Sequence, residues 1–309
     1  MRRQGSLAPP RGQRARARGR SNPVVPYAFV APALFVFCAF ALIPIALGLC
    51  AAAFRIDPVL RVCEYVGARN FATIASDPPF HIALRNNLLW ILLSIGVQIP
   101  LALLLAAALI DQSRFCRALR TVFFSPLVIP GVAIGIMFSI VLDGQFGALN
   151  AALSWVEGHQ VTVGWTADRR WALFCLIAVA CWQYTGYHMM VLLAGMQGIP
   201  TELYEAAEID GAGWWQRLGG ITLPLLRRVM LADVLLVAIG SVKVFDIVQV
   251  MTQGGPNNAT EVLATYMYSQ AFMSERMGSG AAVAVVMLII TLGFAVIHSR
   301  LARLEAGAP

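Results

Sequence analysis

Charged side chains are scarce in this chain of 309 residues. They make up 13% of the total, against about a quarter in an average soluble protein. Apolar residues account for 59%, and the mean hydropathy is +0.71. This balance excludes a soluble globular protein and predicts an integral membrane protein. The net charge of +7 does not indicate nucleic-acid binding, because the arginines are not interleaved with aromatic residues on a soluble segment.

Lysine is almost absent. Its one occurrence, Lys243, is followed by Val244 inside an apolar run. A phosphate-binding P-loop, GxxxxGK[ST], needs a lysine directly before Ser or Thr so that the ammonium group reaches the terminal phosphates. The chain therefore does not hydrolyse ATP by that chemistry.

Grouped metal ligands and paired cysteines are also missing. The six cysteines include no CxxC pair and mostly lie in apolar runs, so they are typical of small buried hydrophobes. The four histidines are too far apart in sequence for metal-ligand spacing. No catalytic constellation is visible, and we expect neither an enzyme nor a chain that binds a metal or cofactor.

What the sequence has instead is six apolar runs, each near the roughly 20 residues that cross a bilayer. They cover residues 27–54, 88–110, 122–142, 171–196, 229–251 and 280–301. The third contains Pro126, Pro130, Gly131 and Gly135, which are tolerated in lipid only where neighbours satisfy the freed backbone groups. We predict an all-α membrane protein with six transmembrane helices over 27–302, the third of them facing the inside of a bundle.

The arginines predict the orientation. Residues 1–26 carry seven arginines and no acidic residue, which predicts a disordered basic tail on anionic lipid headgroups rather than a nucleic-acid arm. With the N-terminus in the cytoplasm, fifteen arginines lie on that side and seven on the other. The positive-inside rule then places both termini, including the short tail 303–309, in the cytoplasm.

Residues 201–224 form a polar interruption between the fourth and fifth runs, and the same rule places them in the cytoplasm. Thr201 is the predicted N-cap of a helix of about eight residues, which Asp210-Gly211 ends because that pair favours a turn. A second short helix is predicted from Gly213 to Pro224. Helices this short are marginal in water, so the pair is expected to dock on a surface. The residues alone leave two surfaces open, the membrane interface and a soluble partner.

A resemblance bears on this choice. Residues 205–212 read EAAEIDGA, with Ile221 and Leu223-Pro224 at the spacing of the EAA loop in membrane subunits of bacterial ABC importers. WQ and ITLPLL within this loop, FDIVQVMTQGGPNNATE at 245–261, VGARNF at 66–71 and SDPPF at 76–80 resemble the carbohydrate-type permeases of that family. The resemblance covers nearly the whole chain beyond the tail.

The resemblance implies a permease subunit of an ATP-driven importer. Its expected partners are a second, similar permease, a dimer of ATPase subunits that use the ATP, an external solute-binding protein and membrane lipid, with a sugar-like solute. The EAA loop is expected to be the helical element that couples the ATPase to the membrane helices. Carried over by position, the coupling residues are Glu205, Ala206, Ala207, Asp210, Gly211, Ile221, Leu223 and Pro224. Leu218 stands where relatives often have Phe.

Polar residues inside the spans are the candidates for the solute path, because ionisable groups in a membrane are costly and indicate function. They are Gln183, Tyr184, Tyr187 and His188 in segment four and Lys243, Asp246 and Gln249 in segment five. A spacing of three places the last three on one helical face. The alternative is that these groups pair with one another, or contact the partner permease.

Two further expectations follow. The external loop after segment five, with Gly254-Gly255-Pro256 and a helix over 261–272, is predicted to face the binding protein, and residues 146–153 are predicted to form an interfacial helix. The rival function is a self-sufficient secondary transporter or channel, which predicts inverted repeats that the sequence does not display.

Overall fold

The computed structural model describes residues 24–57 and 62–306. The chain divides into two compact units, Met1–Leu47 and Gly48–Pro309. Helix α1 (Val24–Phe37) continues through a π-helical turn (Cys38–Leu42) into α2 (Ile43–Ala51), and its apolar stretch Val30–Ala51 is long enough to cross a bilayer. The predicted tail 1–26 lies outside the described residues, except for its last three, which belong to α1.

A small hairpin follows that the all-helical prediction did not include. Strand β1 (Phe54–Asp57) pairs antiparallel with β2 (Val62–Tyr65), and the Phe54 and Tyr65 rings meet edge to face at 5.4 Å. The amide of Asn70, in helix α3 (Arg69–Ala75), donates hydrogen bonds to the carbonyls of Ala52 and Phe54. The first predicted span therefore ends at Ala51, not at Phe54.

The next two spans differ from the prediction in length and shape. Helix α4 (Pro78–Ala108) starts at Pro78 rather than Leu88, because proline is well placed in a first helical turn. The third span is not one helix: α5 (Arg114–Phe124) and a 3₁₀ turn (Ser125–Val128) meet α6 (Gly131–Val141) at an angle of 97°. Pro130 lies at the bend, where its ring prevents a continuous helix.

The middle of the chain contains α7 (Ala148–Glu157), the spanning helix α8 (Ala172–Met196), and the short helices α9 (Thr201–Ile209) and α10 (Trp214–Arg217). Thr201 is the first helical residue of α9 and makes no capping hydrogen bond, so the predicted N-cap is wrong. A π-helical turn (Leu218–Thr222) joins α10 to α11 (Leu223–Val242). The helix therefore does not end at Pro224, which lies in the first turn of α11, where it needs no amide donor.

The last part contains α12 (Asp246–Met251), α13 (Leu263–Tyr268), a further π-helical turn (Ser269–Met273) and α14 (Met277–Ala306). Residues 303–306, predicted as tail, still belong to α14. Within the described ranges, five helical stretches are long and apolar enough to cross a membrane, and the bent α5–α6 pair makes a sixth. The predicted set of spans is thus confirmed, with the third one broken.

Three apolar clusters lie at different levels along the helices of the second unit. One joins the end of α4 (Ala102, Ala106) with Met189 and Leu192 of α8 and with Leu226 of α11. A central one gathers around Trp90, Leu176 and Val248, and a third joins Phe80 with Tyr266 and Val283. Residues 201–224 therefore adjoin the first cluster, and residues 252–276 lie at the opposite end of the bundle.

Candidate functional site

A cavity of about 460 Å³ lies between the first and central clusters. Helices α4, α8 and α11 form its walls, together with α12 and the first residue of α6. Its polar and aromatic lining comprises Trp90, Ser94, Gln98, Gln183, Tyr184, Tyr187, His188, Ser241, Lys243, Phe245 and Asp246. The cavity is thus a mixed polar and aromatic pocket inside a membrane-spanning bundle.

Six of the seven predicted solute-path residues meet here: Gln183, Tyr184, Tyr187, His188, Lys243 and Asp246. The structure does not bring Gln249 to the cavity. The helix is interrupted between Val242 and Asp246, so the spacing of three from Lys243 does not continue along one helical face. Gln249 instead lies half-buried on α12.

Two helix interruptions meet at the cavity. Gly131, just after the bend of the third span, lies so close to Asp246, just after the interruption of the fifth, that a Cβ atom would be 3.1 Å from Asp246 Oδ2. Gln183 Nε2 donates to the carbonyl of Ile129 at 3.3 Å, which satisfies one backbone group freed at the bend. Discontinuous spans with breaks at one place are a known way to build a solute site in a membrane protein.

Three buried polar atoms of the cavity wall have no hydrogen-bond partner within the described residues: Ser94 Oγ, Gln98 Oε1 and Gln183 Oε1. Buried polar atoms are rarely left unsatisfied, so such a group points to water or a ligand. The sequence prediction missed Trp90, Ser94 and Gln98. The signal available for them was a pair of polar residues one helical turn apart in an otherwise apolar run.

His188 and Asp233 form a buried pair behind the cavity. The ring nitrogen Nδ1 of His188 lies 2.8 Å from Oδ1 of Asp233, and the two residues are 4% and 0% exposed. The contact joins α8 to α11. It is an instance of the alternative stated above, in which polar groups inside the spans pair with one another, although His188 also lines the cavity.

Residues 201–224 form a second site at one end of the bundle. Helix α9 ends at Ile209, as predicted, and Gly211 follows with φ +76°, in the left-handed region that favours glycine. On α9, Glu205 and Ala206 are exposed and Ala207 is half-buried. In the turn, Asp210 and Gly211 are exposed. Of the later predicted residues, Ile221 and Leu223 are half-buried and Pro224 is exposed. The loop thus presents Glu205 and Ala206 outward, together with the turn at Asp210 and Gly211.

Contacts within the chain hold this loop. The amide of Ala212 donates to the carbonyl of Ala207 at 2.8 Å, and Arg217 pairs with Glu208 at 3.2 Å. Leu218 is only 7% exposed, so the residue that replaces the common Phe packs inside the chain. Ile209 and Trp215 remain largely exposed, at 88% and 70%. The surface therefore combines exposed acidic and apolar groups on a firmly held turn.

The loop at the opposite end is attached to α4. Asn86 donates to the carbonyls of Ala259 and Glu261, and Asn87 accepts from the amide of Leu263. Burial raises the pKa of the Glu261 carboxyl, and the hydrogen bond from Thr265 partly opposes that rise. The predicted helix here comprises α13 and its π-helical turn, and α7 covers most of the predicted 146–153 helix.

A family of inner membrane components of binding-protein-dependent transport systems matches residues 98–304. The chain belongs to this family. The Probable ABC transporter permease protein YurN of Bacillus subtilis is 36% identical over 281 residues, covering 90% of this chain and 96% of that protein. The lactose transport system permease protein LacF of Rhizobium radiobacter is 33% identical over 247 residues, covering 79% and 82%.

Solved structures show the same fold. One chain of a bacterial ABC transporter involved in the import of the acidic polysaccharide alginate matches with a TM-score of 0.79 at 24% identity, covering 90% of this chain and 95% of that chain. The resemblance inferred from the EAA loop is therefore confirmed. As an inner membrane component of a binding-protein-dependent system, the chain is not a self-sufficient transporter, and the rival function is set aside.

Proposed function

We propose that the chain is the permease subunit of an ATP-driven importer for a sugar or a related polyol, and that the cavity beside the two helix interruptions is its solute path. The three unpartnered polar atoms of Ser94, Gln98 and Gln183 support the proposal most directly. Their residues line the same cavity as the aromatic rings of Trp90, Tyr184 and Tyr187. Aromatic faces pack on sugar rings while amides and hydroxyls bond sugar hydroxyls, so this lining suits a carbohydrate.

The relatives support the same solute class. LacF is named for lactose transport, and the structural neighbour for the import of alginate, a polysaccharide. A second permease is expected to complete the path. The solute is expected to arrive from an external binding protein, which we place at the end of the bundle that carries Glu261. The alginate ABC transporter has been solved in complex with an alginate pentasaccharide-bound periplasmic protein.

The energy is proposed to come from ATPase subunits that dock on residues 201–224. The arginine distribution favours the cytoplasm for this loop and for both termini. Its exposed Ile209, Trp215 and Glu205 offer apolar and charged contacts to a soluble partner. The chain contributes no ATPase site of its own in this account, because its single lysine lies at the helix interruption beside the cavity.

Uptake measurements test the solute class. Cells lacking this gene should fail to take up radiolabelled lactose or another oligosaccharide while importing amino acids normally. Replacing Gln183 by Leu removes one amide contact and should raise the half-saturating solute concentration about tenfold. This change corresponds to a loss of roughly 1.4 kcal/mol of binding free energy. Leu92→Ala, on an exposed face of α4, is the matched control and should change nothing. Loss of amino-acid uptake with normal saccharide uptake would overturn the solute assignment.

A further inference from the structure

The His188–Asp233 pair has an arrangement that pairing alone does not explain. Asp233 is completely buried in α11, whereas His188 reaches the cavity wall from α8. The carboxylate therefore lies behind the imidazole, on the side away from the cavity. Nδ1 is the nitrogen that faces Asp233, at 2.8 Å, which leaves Nε2 as the nitrogen available to a solute.

An ionised carboxylate oxygen accepts hydrogen bonds and cannot donate one, so with Asp233 ionised the 2.8 Å contact requires the proton to lie on Nδ1. In a neutral imidazole the two nitrogens have opposite roles, and the partner of one sets the role of the other. With Nδ1 as the donor, Nε2 becomes a hydrogen-bond acceptor. A histidine in water, without such a partner, is free to exchange between its two tautomers.

The amide oxygens of two other wall residues, Gln98 and Gln183, are also unengaged acceptors. Gln98 uses its amide NH₂ group on Cys181 Sγ at 3.5 Å, and Gln183 uses its own on the carbonyl of Ile129 at 3.3 Å. Their Oε1 atoms remain unpartnered within the described residues. Both amides are thus oriented with their acceptors unengaged. An Nε2 acceptor on His188 would make a third.

We propose that Asp233 is a positioning residue, which holds His188 in the tautomer with hydrogen on Nδ1 so that Nε2 accepts a hydrogen bond from a hydroxyl group of the solute. The inference rests on the proposed function in that the cavity carries the solute. Hydroxyl-rich solutes supply hydrogen-bond donors to Nε2 and to the two amide oxygens.

The test uses the full chain in lipid nanodiscs with ¹⁵N-labelled histidine. The chain has four histidines, and His188→Gln identifies the signals of residue 188 by their loss. At neutral pH the ¹⁵N spectrum should show Nδ1 protonated and Nε2 unprotonated. Asp233→Asn keeps an acceptor oxygen and should keep this tautomer, while Asp233→Leu removes it and should give a mixture or the Nε2-protonated form.

Wild-type protein alone decides the outcome if Asp233→Leu does not fold. A proton on Nε2 of His188 in the wild-type chain, alone or together with one on Nδ1, overturns the proposal. An unchanged tautomer in a folded Asp233→Leu variant also overturns it, because Asp233 would then not set the proton position. The spectrum needs no solute, so a failure of the saccharide uptake experiment would reject the solute class without deciding the role of Asp233.

Discussion

The phenolic oxygen of Tyr204 lies 2.9 Å from the hydroxyl oxygen of Thr222, and the Thr222 hydroxyl is also 3.4 Å from the carbonyl of Arg217. Tyr204 belongs to α9, and Thr222 directly precedes α11, which forms part of the cavity wall. The contact therefore links the outward-facing helix of the proposed coupling loop to a helix that lines the proposed solute path.

Tyr204→Phe removes this link while keeping the ring. A hydrogen bond of this kind contributes about 1 kcal/mol, which corresponds to about a fivefold change in an equilibrium. We expect solute uptake to fall about fivefold while the ATP hydrolysis of the reconstituted complex persists. Tyr65→Phe, at an exposed site in the hairpin, is the matched control. A parallel loss of uptake and hydrolysis would contradict a role in coupling.

Gly211 is expected to act through its backbone. Its φ is +76°, and a Cβ atom would meet nothing within 4 Å, so a substitution is strained without being crowded. In this left-handed conformation, a β-branched residue should cost about 1–2 kcal/mol of conformational free energy, and Asn should cost less. Gly211→Val should reduce uptake about tenfold with ATP hydrolysis retained, and Gly211→Asn should keep most of the uptake. Equal uptake in both variants would show that the turn is not required.

Gly186 and Gly293 form a matched pair for helix packing. A Cβ atom on Gly186 would overlap the carbonyl of Phe123, whereas one on Gly293 would meet nothing within 4 Å. Gly186→Ala should force α8 away from α5 and lower the thermal midpoint of the purified protein by several degrees. Gly293→Ala should leave the midpoint unchanged. A similar midpoint in both variants would mean that α8 and α5 are not packed this closely.

The buried carboxyl of Glu261 should make stability depend on pH. Its pKa is raised by burial, so the folded state favours the protonated form, and stability is lost as the pH rises through the folded-state pKa. Glu261→Gln keeps the acceptor for Thr265 and should melt at a higher temperature than wild type at about pH 8, with no difference at about pH 4. Glu275→Gln, exposed in the same loop, should show no such divergence. A difference in melting temperature between Glu261→Gln and wild type that is equal at both pH values would contradict the burial of an ionisable group at this position.

The sequence was informative where one local cause decides the structure. Apolar length predicted the spans, and Asp210-Gly211 predicted the end of α9, since a glycine accepts the left-handed backbone there. Pro126, Pro130 and Gly131 predict a disturbed third span, but the bend of 97° depends on how α6 packs against α12. Pro224 does not end a helix as predicted, because proline is also favourable in the first turn of a helix, where it lies here.

The composition of the cavity was harder to predict, because its walls come from helices far apart in the chain. Tyr184 and His188 were identifiable as polar residues of a span. The contribution of α4 was not predicted. Ser94 and Gln98 are recognisable as cavity residues only from their neighbours in the fold, Gln183 in the same cavity and Cys181 beside Gln98. The prediction of Gln249 requires a helix that continues through Lys243, and the structure interrupts the helix there. Tertiary contacts, not local pattern, decided these residues.

Photo-crosslinking in living cells tests whether residues 201–224 contact an ATPase subunit. A photoreactive residue is placed at Ile209, which is 88% exposed on the loop, or at Phe146, which is 89% exposed near α7. We expect an adduct with an ABC ATPase subunit from position 209 and none from position 146. Adducts with lipid alone from position 209, or capture of the ATPase from position 146, would contradict it.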